Sequence, residues 1–278
     1  MRVLSFGEAP RWREGRLWFS DFYRRAVYAV GLDGSKVVDV PDQPSGLGWL
    51  PDGRLLVVSM KDRRVLRLEP GGGLVEHTDL SGLATFHAND MLVDASGAAW
   101  VGNFGYDLYA DLRARELAVM LGDESAGQAV LARVGSDGVV SRAADDLRFP
   151  NGMALLDGGR TLVVAETLRL QLTAFDVADD GTLGGRRVYA GLGQLFVAPD
   201  GICADPGGGV WVANALGPRV LRVADGGRVT DTVTTTQPAF ACALGGDDRR
   251  TLFVMTAPSS EPWDVEGKTL AKIETANV

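Results

Sequence analysis

Short apolar runs alternate along this chain with turns rich in Asp and Gly, and the alternation has a long period. Pro150-Asn151-Gly152-Met153 opens one apolar run, Leu156-Asp157-Gly158-Gly159 closes it, and Thr161-Leu162-Val163-Val164-Ala165 follows. Pro199-Asp200-Gly201-Ile202 repeats that order, with a turn at Asp205-Pro206-Gly207-Gly208-Gly209 and a second run at Val210-Trp211-Val212-Ala213. Aligned on the polar residue at the head of each unit, the chain reads as six copies, headed by Glu8, Ser45, Asn89, Asn151, Asp200 and Ala239. The centres of the second strands are Trp18, Leu56, Trp100, Leu162, Trp211 and Leu252. A third strand follows in each copy, for example Arg64-Val65-Leu66-Arg67-Leu68, Arg219-Val220-Leu221-Arg222-Val223 and, in the last, Thr269-Leu270-Ala271-Lys272-Ile273.

The head positions are separated by 37, 44, 62, 49 and 39 residues. Units of about 40–50 residues with four short strands are the pattern of propeller blades, which bury both faces only by stacking around an axis. The expected fold is an all-β, six-bladed β-propeller occupying residues 1–278 as a single domain. The last unit lacks an evident fourth strand. Arg2-Val3-Leu4-Ser5-Phe6 is placed to supply it, so the ring is expected to close by pairing of this N-terminal strand with the last blade.

The 62-residue spacing is the outlier. Residues 103–128 form an insertion between the second and third strands of the third blade, and Leu112, Leu117, Met120 and Leu121 give its middle a loose helical period. An insertion of this length on the channel face is expected to be a lid-like loop.

Composition narrows the partners. The chain has 278 residues, 28 basic and 36 acidic, for a net charge of −8. That balance disfavours nucleic acid. No apolar run reaches the length of a membrane span, and the first residues lack the apolar segment of a secretory signal, so a cytoplasmic protein without a membrane partner is expected. The two cysteines, Cys203 and Cys242, each lie three residues past a head position and read as small buried thiols.

In a propeller the first strand of each blade lines the channel, so the head residues converge near one mouth. Glu8, Asn89, Asn151 and Asp200 would present two carboxylates and two amides to one point. Each alone reads as a turn residue. Together they form a hard-oxygen set suited to Ca²⁺, or to Mg²⁺ or Mn²⁺ with retained waters. Without His or Cys the set is unsuited to structural zinc.

Taken together, Gly7-Glu8-Ala9-Pro10-Arg11-Trp12, Asn89-Asp90 with Trp100-Val101-Gly102, Phe149-Pro150-Asn151-Gly152 and Pro199-Asp200-Gly201 with Val210-Trp211-Val212-Ala213 resemble the gluconolactonase, regucalcin and luciferin-regenerating enzyme family of six-bladed propellers, over nearly the whole chain. The resemblance implies a divalent-metal-dependent hydrolase that opens a cyclic ester. Glu8, Asn151 and Asp200 match the family's metal ligands. Asn89 matches an asparagine that contacts substrate or, in diisopropyl fluorophosphatases, the metal. Asp90 would orient its neighbours. One cation is implied, Ca²⁺ first, with Zn²⁺, Mg²⁺ and Mn²⁺ as alternatives. It would polarise the carbonyl while Asp200 acts as general base or nucleophile.

Sugar-lactonase members carry an arginine two residues before that asparagine; here the position is His87. An arginine fork gives way to a titratable ring, which makes His87 a candidate substrate contact or proton carrier and argues against gluconolactone. Phe22, Phe86, Phe104, Tyr106, Phe240 and Trp263 are expected around the mouth, favouring a lactone or ester of apolar character. Glu166 and Asn214 are secondary candidates. Other readings are a non-catalytic metal- or ligand-binding propeller, a phosphotriesterase-like hydrolase, or a pathway-specific isomerase or cyclase. The intact Glu, Asn, Asn, Asp set disfavours a metal-free propeller of the strictosidine-synthase kind. The oligomeric state is not legible.

Overall fold

The computed structural model describes residues 4–31 and 35–278. Six antiparallel sheets follow one another in chain order, each built as a meander. Their first strands are Gly7–Arg13, Pro44–Trp49, Ala88–Val93, Pro150–Leu156, Pro199–Ala204 and Ala239–Gly245. Each lies against the first strands of the blades before and after it, and the last lies against the first, which closes the ring of a six-bladed β-propeller. Among the described residues no helix is long and apolar enough to cross a membrane.

The second strands carry the core. Leu56, Trp100, Leu162, Trp211 and Leu252 are at most 1 % exposed between neighbouring sheets, where both faces of each strand are covered. Trp18, the sixth of the set, is half-buried and packs edge-on against Trp49, with ring centroids 5.3 Å apart.

The glycine that follows three of the head residues, Gly46, Gly152 and Gly201, has a packing role. A Cβ on Gly152 would lie 2.4 Å from the Asp200 carbonyl oxygen, and one on Gly201 would lie 2.7 Å from the Ala241 Cα. The innermost strands of adjacent blades converge there, and only glycine lets their backbones approach so closely.

Five sheets have four strands; the sixth has three among the described residues. Arg2 and Val3, two of the five residues of the expected closing strand, lie outside the described residues. Leu4 to Phe6 form no strand, yet they still touch the sixth blade: Ser5 Oγ donates to the Lys268 carbonyl at 2.8 Å, and the Phe6 and Phe240 rings are 4.8 Å apart. The third strand of that blade is Lys272–Asn277, later than the run at Thr269 to Ile273 suggests. The chain spends the intervening residues on a loop and the short helix Pro262–Val265 at the channel mouth.

The insertion in the third blade contains α1 (Leu108–Ala114) and α2 (Leu117–Gly122). Asp107 caps α1 by accepting from the Ala110 N–H at 3.0 Å. The far end is pinned by Arg148, whose buried guanidinium donates to the carbonyls of Asp123 (2.6 Å) and Ala126 (3.2 Å). Blades three and six are opposite in the ring, and the insertion crosses between them. Arg113 of α1 lies 4.2 Å from the centre of the Trp263 ring, and Tyr109 meets the same ring edge-on at 6.4 Å.

Candidate metal centre and active site

A β-bulge recurs at the head of each innermost strand. Pro150 pairs with Glu166 and Pro199 with Asn214, after which the register slips until Met153 and Ile202. The slip frees Asn151 and Asp200 from the ladder and turns them to the axis. Ser45 and Asn89 hold the same freed position in their blades, whereas Glu8 still pairs with Ser20 and the slip in the first blade comes between Glu8 and Arg11. In the sixth blade it is Ala239 that pairs with Thr256, so the residue in the freed position is Phe240, one later than the sequence alignment on Pro238 gives. Five polar heads and one phenylalanine therefore make the ring.

In the first, fourth and fifth blades the polar residue that ends the second strand fixes the approach to the bulge. Asp21 accepts from the N–H groups of Ser5 (2.9 Å) and Phe6 (3.2 Å), Glu166 from that of Arg148 (2.8 Å), and Asn214 from that of Ala198 (3.1 Å). Glu166 is also paired with Arg169 at 3.0 Å. Glu166 and Asn214 are thus fully engaged in holding backbone and do not line the cavity, contrary to their place among the secondary candidates.

Glu8, Asn89, Asn151 and Asp200 come together at the floor of a cavity of about 340 Å³. Asn89 Nδ2 donates to Asn151 Oδ1 at 2.9 Å, and Ser45 Oγ lies 3.4 Å from Asn89 Oδ1. Asn151 Nδ2 donates to Thr167 Oγ1 at 3.1 Å, and the Thr167 hydroxyl donates onward to the Pro199 carbonyl at 2.8 Å. Thr167 was not among the sequence candidates. Its only sequence mark is its place next to Glu166, just past the second strand.

Glu8 and Asp200 are 6 % and 8 % exposed. Among the described residues neither has an ion-pair partner. Burial pushes both carboxyls well above their ordinary range; for Glu8 the charges of Asp200 and Asp90 add to this, and for Asp200 that of Asp90. Glu8 accepts from the Ala9 N–H at 3.2 Å, and the nearby Asn151 amide and Gly201 N–H offset part of the upward shift of Asp200. Two buried carboxylates short of positive charge, flanked by oriented amides, fit a hard divalent cation. Among the described residues no three His, Cys, Asp and Glu side chains form a cluster able to hold a metal, so such a site needs the asparagine oxygens to complete it.

His87 stands apart from the other candidates. It does not line the cavity; its ring stacks on Phe86 with centroids 4.1 Å apart and lies 5.6 Å from the Phe104 ring. Its buried Nδ1 has no partner among the described residues, and burial holds its pKa down at about 4. A neutral ring behind Phe104 is a wall element, and neither a substrate contact nor a proton carrier fits that position.

Of the expected aromatic rim, Phe22, Phe104 and Phe240 line the cavity, while Phe86, Tyr106 and Trp263 do not. The insertion supplies Leu112, Leu117, Met120 and Leu121, the residues of its helical period, together with Leu108 and Tyr109, which the sequence reading did not name. Among the described residues no Lys, Arg or His lines the cavity.

This architecture has known counterparts. A luciferin-regenerating enzyme superposes with a TM-score of 0.81 at 17% identity, over 100% of this chain and 93% of that one. A gluconolactonase from Xanthomonas campestris superposes with a TM-score of 0.73 at 25% identity, over 92% of this chain and 85% of that one. In sequence, a 6-deoxy-6-sulfogluconolactonase of Pseudomonas putida is 26% identical over 260 residues, 90% of this chain and 83% of its own length. The profile described as SMP-30/Gluconolactonase/LRE-like region matches residues 6–258, nearly the entire propeller with all six bulged heads, and the chain belongs to that family.

Proposed function

We propose that this protein is a divalent-metal-dependent lactonase acting on an uncharged lactone of apolar character. The observation that carries the reading is the pair Glu8 and Asp200, buried without a counter-charge among the described residues at the floor of an apolar cavity, with the mutually bonded Asn89 and Asn151 amides in the same lining. Family membership and the sulfogluconolactonase and gluconolactonase relatives support the reaction class.

Glu8, Asn151 and Asp200 would hold the cation, with Asn89 beside them, and Ca²⁺ best suits a set of carboxylate and amide oxygens. A bound cation supplies Lewis acidity toward the ester carbonyl and compensates the two carboxylates. Asn151 keeps its oxygen toward the axis because its amide nitrogen donates to the Thr167 hydroxyl. Asp200 takes the proton of the attacking water, or itself attacks the carbonyl carbon. Asn89 contacts the substrate from the neighbouring blade.

The insertion acts as a lid. Its leucines and Met120 roof the cavity and exclude water from the reacting ester. A lining without a cationic side chain gives no partner to a sulfonate or carboxylate on the substrate, and its apolar walls leave the hydroxyls of a sugar unpaired. The substrate class proposed here therefore differs from that in the name of the sulfogluconolactonase relative.

The test is hydrolysis of a lactone panel, from polyhydroxylated and anionic members to alkyl- and aryl-substituted ones, with chelator and with Ca²⁺ restored. Apolar lactones are expected to be opened fastest, with activity lost in chelator and regained with Ca²⁺. Full turnover in excess chelator would overturn the mechanism. Metal binding with no hydrolysis of any member would mark a binding protein instead.

A further inference from the structure

The first strand carries a second inward group besides Glu8. A regular strand would turn residues three apart to opposite faces. Here the register slips between Glu8 and Arg11, and Ala9 sits at φ 48°, so the bulge sends both side chains toward the axis. Arg11 Nη2 donates to Asp90 Oδ1 at 3.3 Å and to the Met91 carbonyl at 2.7 Å, and Nη1 donates to the Pro10 carbonyl at 2.9 Å. The fork is held at three points, in the layer beneath the hub. On its other side Arg11 lines the cavity at the far mouth of the channel, with Arg13, Trp49 and Asp94.

Asp90 is buried, at 4 % exposure, and does not line the substrate cavity, yet its charge reaches both Glu8 and Asp200. Among the described residues, and apart from Glu261, Asp94 and Arg13 at its mouths, the channel therefore holds three acidic side chains, Glu8, Asp90 and Asp200, and one guanidinium, that of Arg11. Fully ionised, they leave two negative charges.

We propose that Arg11, through its ion pair with Asp90, sets the net charge beneath the hub at two negative charges and thereby selects a divalent over a trivalent cation. The proposal rests on the reading of Glu8, Asn151 and Asp200 as a cation site. Arg11 touches no atom of that site and acts as a positioning and charge-setting residue. A pair that served only to brace the two strands would leave the charge preference of the hub unchanged on replacement. A charge-setting pair changes it, because a trivalent ion gains more than a divalent one from each added negative charge.

The experiment measures binding of Ca²⁺ by calorimetry and of Tb³⁺ by luminescence, on the whole protein at one ionic strength. The preference for Tb³⁺ over Ca²⁺ is expected to rise on the order of tenfold or more in Arg11→Met, and to stay near the wild-type value in Arg11→Lys. In Arg11→Met/Asp90→Asn, which restores two negative charges, it is expected to return to the wild-type value. Asp90→Asn alone is expected to shift the preference toward Ca²⁺, a result of opposite sign that stands even where Arg11→Met does not fold. A preference unchanged in folded Arg11→Met, or in folded Asp90→Asn, overturns the proposal and leaves the cation site standing. A wild-type protein that binds neither ion removes the cation site as well, so the two failures are distinct.

Discussion

Asn89 Nδ2 donates to Asn151 Oδ1 at 2.9 Å across 62 residues of sequence, tying the third blade's bulge to the fourth's. The contact is possible because both residues lie in the freed position after the first ladder pair of their strands. It fixes which face of the Asn89 amide points at its neighbour, and the Thr167 hydroxyl does the same for Asn151. The hub is thus a set of amides oriented by one another before any ligand arrives.

Removing the Thr167 hydroxyl tests that orientation. Thr167→Val keeps the shape and frees the Asn151 amide to rotate. Metal affinity is expected to fall by roughly 10- to 100-fold with little change in far-UV circular dichroism, as when a partner that orients a ligand is lost. Unchanged affinity by calorimetry would remove Thr167 from the site.

Asp200 is assigned the proton transfer or the attack on the carbonyl. Asp200→Asn keeps an oxygen at the same place, but not its basicity. Turnover of a lactone substrate is expected to fall on the order of 10²-fold or more. A variant with full kcat at saturating metal would place the chemistry elsewhere.

The buried carboxylates also make a stability prediction. A ligand that binds the folded state alone stabilises it by mass action, by about 2.7 kcal/mol at a hundred times its Kd. The chelated protein is expected to melt at a lower temperature than the Ca²⁺-loaded one. Glu8→Gln/Asp200→Asn, which leaves the hub uncharged, is expected to melt at the same temperature with and without Ca²⁺. A Ca²⁺-dependent shift retained in that double variant would point to a different cation site.

His87 gives a pH dependence of known sign. Its pKa in the folded state is about 4, against an ordinary 6.5, because burial disfavours the charged ring and Lys61 adds to this. The unfolded chain takes up a proton that the folded state refuses, so this residue costs stability as pH falls from 6.5 toward 4 and costs nothing above that window. His87→Phe, which fits between Phe86 and Phe104, is expected to gain melting temperature over wild type at about pH 4.5 relative to pH 7.5. An equal difference at both pH values would show that the ring stays uncharged for free.

Trp263 anchors the insertion on the opposite side of the mouth, beneath Arg113 and beside Tyr109. Trp263→Ala removes both contacts and replaces no residue of the cavity lining, to which its partner Tyr109 belongs. KM for an apolar lactone is expected to rise several-fold with kcat changed less, since a cation–π contact of this kind is worth about 0.5–2 kcal/mol. Steady-state kinetics with unchanged KM would show that this anchor does not hold the roof.

The period of turns and apolar runs was enough to give six blades, because each blade is a local meander and its strands are set by alternation and Asp-Gly turns. The same alignment placed Glu8, Asn89, Asn151 and Asp200 at one register, because a repeated local bulge carries them to the axis. It misplaced Ala239 for Phe240, since Pro238 lies one residue before its strand and only ladder pairing reveals the shift. Tertiary structure alone decided the rest. His87 went behind Phe104, because the loop before the third blade's first strand follows the packing of three aromatic rings. Thr167 joined the site, Arg11 the layer beneath it, and Leu108 and Tyr109 the roof, through contacts between blades. A chain's own periodicity encodes which residues share a register, whereas the distance between side chains on different blades follows from how the ring closes.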